Sequence, residues 1–326
     1  MILLAVSIAV GWIIIQFVGA IDWAAVLDAL RRLSIAQVAV LLVGLLVRQS
    51  FNAVPLTQFV PGLSWWRSLQ NDLTANLVGT IAPPPADVVL RVSMFKSWGL
   101  DPVDGMAGVT LNMLAFYSVR FLAPALGLIA LSVHGFESGQ LVAALGSALL
   151  AAAILVGLAL VVRGDGLAHL VGRGAGRVVH RFRSSVDPDA WAGSVVKFRG
   201  RMAGNVRAGL ARSLVALVAM VLADAVVLTL SLRFVGLGAS ALTVDQIIGT
   251  FLLAYPLTLM PLAGLGVLDA ALIAAFTEIC GTELEPEIVA GLVVWRSVTF
   301  LGPLVLGLGS LLLWRRRNPA AAQLSV

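Results

Sequence analysis

Six stretches of this chain, residues 2–20, 35–56, 106–131, 140–162, 213–234 and 288–313, each continue for about twenty residues or more with almost no charge. A helix needs about 20 apolar residues to cross the roughly 30 Å hydrocarbon core of a bilayer. Inside lipid, every backbone N–H and C=O must be satisfied by the segment itself. These windows therefore specify an all-α polytopic membrane protein with about six spanning helices. Composition agrees, since 60% of the 326 residues are hydrophobic and 12% are charged, with a mean hydropathy of +0.99. Soluble domains average about 45–50% apolar and about 25% charged residues.

The chain reads as a single transmembrane domain, residues 1–326. Its opening window carries no Lys or Arg ahead of the apolar core and no small-x-small cleavage site, so it reads as a retained first helix rather than a signal peptide. Residues 21–32 repeat apolar side chains at helical spacing and read as a short interfacial helix, which completes an opening section of residues 1–33. From Arg163 to Arg212 ten cations face only Asp165, Asp187 and Asp189. The positive-inside rule makes residues 163–212 a basic cytoplasmic loop and puts Arg315-Arg316-Arg317, in a tail of residues 315–326, on the same side. Both termini are then cytoplasmic. The formal charge of +5 is accounted for by this topology, so no nucleic-acid partner is expected. Lysine is limited to Lys96 and Lys197 among abundant Ala, Val, Gly and Leu, a bias that suggests a GC-rich bacterial genome and hence a bacterial plasma membrane.

Two further apolar windows are broken. Residues 64–98 contain Pro83-Pro84-Pro85, and residues 244–278 contain Pro256-Leu-Thr-Leu-Met-Pro261-Leu-Ala-Gly264-Leu-Gly266-Val-Leu-Asp269. Proline removes a helix hydrogen bond, and freed backbone groups inside a membrane must lie against protein or a wet cavity. Each window reads as a re-entrant hairpin that enters and leaves by one face. The tips are Pro83, Pro84 and Pro85 in the first, and Pro256, Pro261, Gly264 and Gly266 in the second. A first half, residues 34–162, and a second half, residues 213–314, then each hold one hairpin, and the alternation of spans turns the hairpins in opposite directions. Arg31 and Arg32 fall outside under this scheme. Ser118-Val-Arg-Phe-Leu-Ala-Pro124 echoes Ser297-Val-Thr-Phe-Leu-Gly-Pro303 at five of seven positions, in keeping with an inverted repeat. Paired Gly/Pro-interrupted segments in two such halves point to a transporter's binding site.

Ionisable groups within apolar segments cost on the order of 2.5–3.5 kcal/mol each on insertion scales, so they need a reason. Arg91, Arg120 and Arg296 suit a phosphate-bearing lipid headgroup, because a planar guanidinium binds its oxygens bidentately. Asp87, Asp269 and Asn76 complete the candidate site. The alternative is that the arginines pair with Asp87, Asp224 and Asp269 to hold the bundle, and Arg48 and Asp224 are read in that structural sense. Cys280 is the single cysteine, and His134, His169 and His180 lack ligand spacing, so neither a metal nor a cofactor is expected. No nucleotide-binding loop, nucleophile elbow or His-based dyad is present, and no enzymatic activity is expected.

A hairpin with proline, an acidic residue and arginine, followed by a Pro-x-x-Gly-x-Gly-Val-x-acidic-Ala element and a last helix bearing arginine, resembles the lysylphosphatidylglycerol synthase transmembrane family. Its members include lipid flippases and stand-alone flippase-like proteins. The matching residues are Pro83, Asp87 and Arg91, then Pro261, Gly264, Gly266, Val267, Asp269 and Ala270, then Arg296, Pro303 and Gly307. The first element departs from the family's Pro-x-Arg-x-Gly-acidic pattern, Ala263 replaces one glycine of the second, and Asp269 stands where glutamate is usual. The Glu-Arg pair that members often carry in the following helix is absent, since residues 111–120 show only Arg120. The resemblance implies a stand-alone flippase that moves an anionic lipid or lipid-linked headgroup between leaflets, without an aminoacyl-transfer domain. The alternative reading is a non-catalytic membrane partner that docks a lipid-modifying or glycosyl-transferring enzyme of envelope biosynthesis through residues 163–212. Oligomeric state is not indicated.

Overall fold

The computed structural model describes residues 33–82, 85–132, 138–163 and 187–318, together with 31, 166, 173, 174 and 177. The expected first span, the interfacial helix apart from Arg31, Pro83 and Pro84 lie outside the described residues, as does most of 164–186. In chain order the helices are α1 (Ile35–Phe59), α2 (Trp65–Ile81), α3 (Ala86–Ser97), α4 (Pro102–Leu131), α5 (Ser138–Arg163), α6 (Pro188–Phe234) and α7 (Val244–Ala254). A 3-10 turn, Tyr255–Leu259, and a short turn, Pro261–Gly264, precede α8 (Val267–Cys280). Then come α9 (Glu285–Arg296), a π turn (Ser297–Leu301) and α10 (Gly302–Arg317). No strand occurs among the described residues.

Among the described residues, six helical stretches are long and apolar enough to cross a membrane. Four of them, Ile35–Phe59, Pro102–Leu131, Gly209–Phe234 and Thr282–Arg317, contain expected windows, and a fifth, Ser138–Ala159, covers the expected 140–162 except its last three residues. The sixth, Leu262–Cys280, is the second arm of the later window, read from sequence as a re-entrant hairpin. Its regular part, Val267–Cys280, has 14 residues, about 21 Å at 1.5 Å per residue and short of a roughly 30 Å core. The remaining length is non-helical backbone.

Half of the basic segment read as a loop is helix. Asp187 accepts the N–H of Asp189 at 2.9 Å, and Pro188 opens α6, a favoured first residue because its missing N–H would have no helical partner. From there α6 continues unbroken for 47 residues, about 70 Å. Only Gly209–Phe234 is apolar, so the basic first half extends beyond the hydrocarbon.

The chain divides into two compact units, each holding one hairpin, and α1, α4, α5, α6 and α10 each contribute a part to both. The first comprises Gln49–Val119, Leu149–Ala219 and Leu306–Val326. Here α2 begins at the Ser64 cap and packs along α3. Leu56, Val60, Leu63 and Phe95 form one core, and Leu90, Met94 and Trp314 another. Helices approach closely: a Cβ on Gly307 would lie 2.5 Å from the Leu73 carbonyl oxygen. Cross-links tie α10 and α1 to the hairpin. Gln70 Nε2 donates to the Ser310 carbonyl at 3.1 Å, Trp314 Nε1 to Ser97 Oγ at 2.9 Å, and Ser68 Oγ to the Ala53 carbonyl at 2.6 Å.

The second unit comprises Met1–Arg48, Arg120–Ala148 and Met220–Val305. Gln246 reaches back to the Thr243 N–H at 2.9 Å and starts α7, which packs against α8 across the break. Phe251, Tyr255 and Trp295 form an edge-to-face aromatic run in its core. In the repeated motif, Ser118 and Ser297 each donate to the carbonyl four residues back, at 2.9 and 2.7 Å. The first copy lies in regular helix, whereas the second is the π turn. Both copies carry a proline at the same position, Pro124 and Pro303, so the difference does not come from the proline alone.

Candidate functional site: the broken hairpin and its arginine

Between α7 and α8 the backbone turns left-handed. Leu262 (φ 53°, ψ 40°) and Ala263 (φ 56°, ψ 37°) are consecutive non-glycine residues in that region, followed by Gly264 at φ 73° and Gly266 at φ 84°. A left-handed residue with a side chain costs about 1–2 kcal/mol and persists only where its surroundings over-determine it. Glycine is required at 264 twice over, since a Cβ there would also lie 2.5 Å from the Leu257 carbonyl oxygen.

The over-determination comes from Asp269 and Arg296. Asp269 stands in the first turn of α8, where a carboxylate complements the helix's free N–H groups, and its Oδ2 accepts the Gly266 N–H at 2.7 Å. Its other oxygen accepts Arg296 Nε at 2.6 Å. The terminal nitrogens of Arg296 donate to the carbonyls of Ala263 and Gly264, at 3.2 and 3.4 Å. One guanidinium at the end of α9 thus ties the last helix to the carbonyls that the break released. The pair is largely withdrawn from solvent, with side chains 12% and 18% exposed. Of the five N–H groups of Arg296, three are engaged among the described residues. One remains on each terminal nitrogen, and this can receive a further acceptor such as a phosphate oxygen.

Behind the pair lies a second one. Trp295, 2% exposed, donates its indole N–H to Asp224 at 2.9 Å, and Arg48 Nε donates to the other oxygen of Asp224 at 3.1 Å. The Arg296 Cζ sits 4.5 Å from the centroid of the Trp295 ring. Arg120, half-buried on α4, belongs to the same unit, and Tyr255 lies within electrostatic range of Asp224, Arg48 and Arg120.

In the other unit, Arg91 reaches across the first hairpin from α3 to α2. It donates to Asp72 at 2.9 Å and to Asn71, both buried. Asp87, in the first turn of α3, lies near Gly79 of α2, where a Cβ would stand 3.6 Å from its own Cβ. Asn76 is exposed. Pro85 is the residue before α3, and Pro256 and Pro261 lie in the two short turns of the second hairpin. Among the residues singled out from sequence, the structure brings Arg296, Asp269, Gly264 and Gly266 together. Arg91 is gathered instead with Asn71 and Asp72, which sequence reasoning missed; the run of three polar residues, Gln70-Asn71-Asp72, was the available signal. Trp295 was missed as well, its only signal being adjacency to Arg296.

Residues 2–307 of the chain match the family model described as the lysylphosphatidylglycerol synthase TM region. No curated protein matches the chain.

Proposed function

The chain belongs to the family of the lysylphosphatidylglycerol synthase TM region, and we propose that it moves an anionic lipid or lipid-linked headgroup between the leaflets of its membrane. The observation that carries this reading is the Arg296 guanidinium, held at a helix break inside apolar sequence with one N–H on each terminal nitrogen left over among the described residues. Such a fork is matched to phosphate oxygens. In this reading both hairpins are re-entrant and open to opposite faces, related as inverted repeats, and Arg91 and Arg120 offer further positive charge along the route. The protein works as a transporter and not as an enzyme, in a bacterial plasma membrane with both termini and the basic residues 163–212 on the cytoplasmic side.

The test uses purified protein in vesicles containing a fluorescent anionic phospholipid, with a membrane-impermeant quencher added outside. Exchange is expected to exceed that of protein-free vesicles clearly, and Arg296→Ala or Arg120→Ala to slow it at least about tenfold, the weight of one charge-assisted hydrogen bond. Equal rates for wild type and both variants would remove the proposal. The helical arm that α6 extends beyond its apolar part favours a second reading, a docking surface for a lipid-modifying or glycosyl-transferring enzyme. Replacing Arg199, Arg201 and Arg207 with Gln is expected to leave exchange unchanged; a loss of membrane recruitment of such an enzyme, with exchange absent throughout, would select the second reading instead.

A further inference from the structure

Arg296 is held on two sides by groups of different character. At its edge is Asp269, a short side chain on the first turn of α8 with two described partners, the Gly266 N–H and Arg296 itself. Beneath its face is the Trp295 indole, fixed from two directions. Its N–H is bound to Asp224, and Asp224 is in turn bound by Arg48, so that the acceptor is an ion and the bond is charge-assisted. Phe251, on the first arm of the hairpin, meets the indole edge-to-face at 5.6 Å and 85°, and Tyr255 meets Phe251 at 5.4 Å and 69°. The side chain of Asp224 is 6% exposed against 18% for Asp269. Of the two carboxylates, Asp269 is thus the more accessible to an entering group, while Arg296, 12% exposed, is withdrawn behind it. At 4.5 Å the guanidinium lies well within the roughly 6 Å reach of a cation–π contact.

We infer that Trp295 is the positioning residue of this site: anchored by Asp224 and Arg48, its indole holds the Arg296 guanidinium in place while Asp269 gives way to an entering anionic headgroup. The exchange then occurs at a stationary cation. Asp269 keeps the Gly266 N–H when it releases Arg296, and Arg296 keeps the indole and two backbone carbonyls, so each side chain stays anchored during the exchange. This inference rests on the transport reading and adds to it which of the two charged partners moves.

The experiment compares Trp295→Phe, Trp295→Leu and Asp224→Asn in vesicles over a series of labelled anionic lipid fractions, reading the half-saturating fraction and the maximal rate separately, with thermal unfolding in detergent alongside. Trp295→Phe and Trp295→Leu both lose the bond to Asp224, but only Phe keeps an aromatic face under the guanidinium. Trp295→Leu is expected to raise the half-saturating fraction about tenfold, the weight of a desolvated cation–π contact, with the maximal rate within about threefold of wild type. Trp295→Phe should stay within about threefold on both. Asp224→Asn, which keeps the indole and an oxygen for its N–H, should likewise stay within about threefold of wild type on both. A half-saturating fraction that follows unfolding temperature, with Phe as impaired as Leu, overturns the inference while transport stands. So does Trp295→Leu behaving as wild type. Wild-type protein without saturable exchange would overturn the transport reading itself, and the inference with it.

Discussion

Asp269 serves two partners that pull on different oxygens, and substitutions can separate them. Asp269→Asn retains an oxygen for the Gly266 N–H but surrenders the charge opposite Arg296, whereas Asp269→Ala gives up both. Removing one member of a buried pair costs about 3–5 kcal/mol because the other charge is left uncompensated. Unfolding in detergent is therefore expected to rank wild type above Asn and Asn above Ala, and pairing Asp269→Asn with Arg296→Gln should recover part of the loss. A strictly additive double variant would contradict the coupling. Ala263 offers a backbone test. Its left-handed φ of 56° favours glycine and penalises a β-branched side chain, so Ala263→Val should lower the unfolding midpoint, by about 2 kcal/mol at the order of magnitude, while Ala263→Gly should not. Residue pairing was the least legible level of the sequence. Asp87 stands four positions before Arg91, the spacing of neighbours on a helix face, and so looked like its partner. The structure turns Arg91 toward α2, where the buried carboxylate of Asp72 has lost its water and a cation restores the balance.

At the scale of the element, apolar length and proline placement carried most of the information. Windows of about twenty uncharged residues became helices because lipid leaves the backbone no other way to satisfy itself, and both broken windows became helix, break, helix. The continuity of α6 through Gly193, Gly200 and Gly204 was not legible, since neither apolar periodicity nor strong intrinsic propensity marks that basic stretch. Close helix contacts were equally hidden, because a glycine that admits a neighbour looks in sequence like one that loosens a chain. Gly307 is the clearest instance. With 2.5 Å between an ideal Cβ and the Leu73 carbonyl oxygen, Gly307→Ala must push α10 away from α2, and a loss of about 1–3 kcal/mol is expected from such overpacking. Gly309, with open space around it, is the matched control, and equal effects at the two positions would refute the contact.

For the whole molecule, the proposed orientation can be read with single cysteines. In a Cys280→Ser background, Thr282→Cys, on the exposed turn after α8, should react in intact cells with a membrane-impermeant maleimide. Arg317→Cys, exposed at the end of α10, should react only after permeabilisation. The opposite pattern would invert the topology. The pairing of intramembrane charges also has an electrical meaning. Arg48 with Asp224, Arg91 with Asp72 and Arg296 with Asp269 are each neutral as units, so displacing any of them across the membrane does no work against the transmembrane voltage. An anionic headgroup adds one uncompensated charge, worth about 2.3 kcal/mol per 100 mV over the full field. These three pairs would thus add no voltage dependence to the return of the empty protein, whereas the headgroup charge makes the loaded passage feel the field, with a sign that favours outward movement from a negative interior.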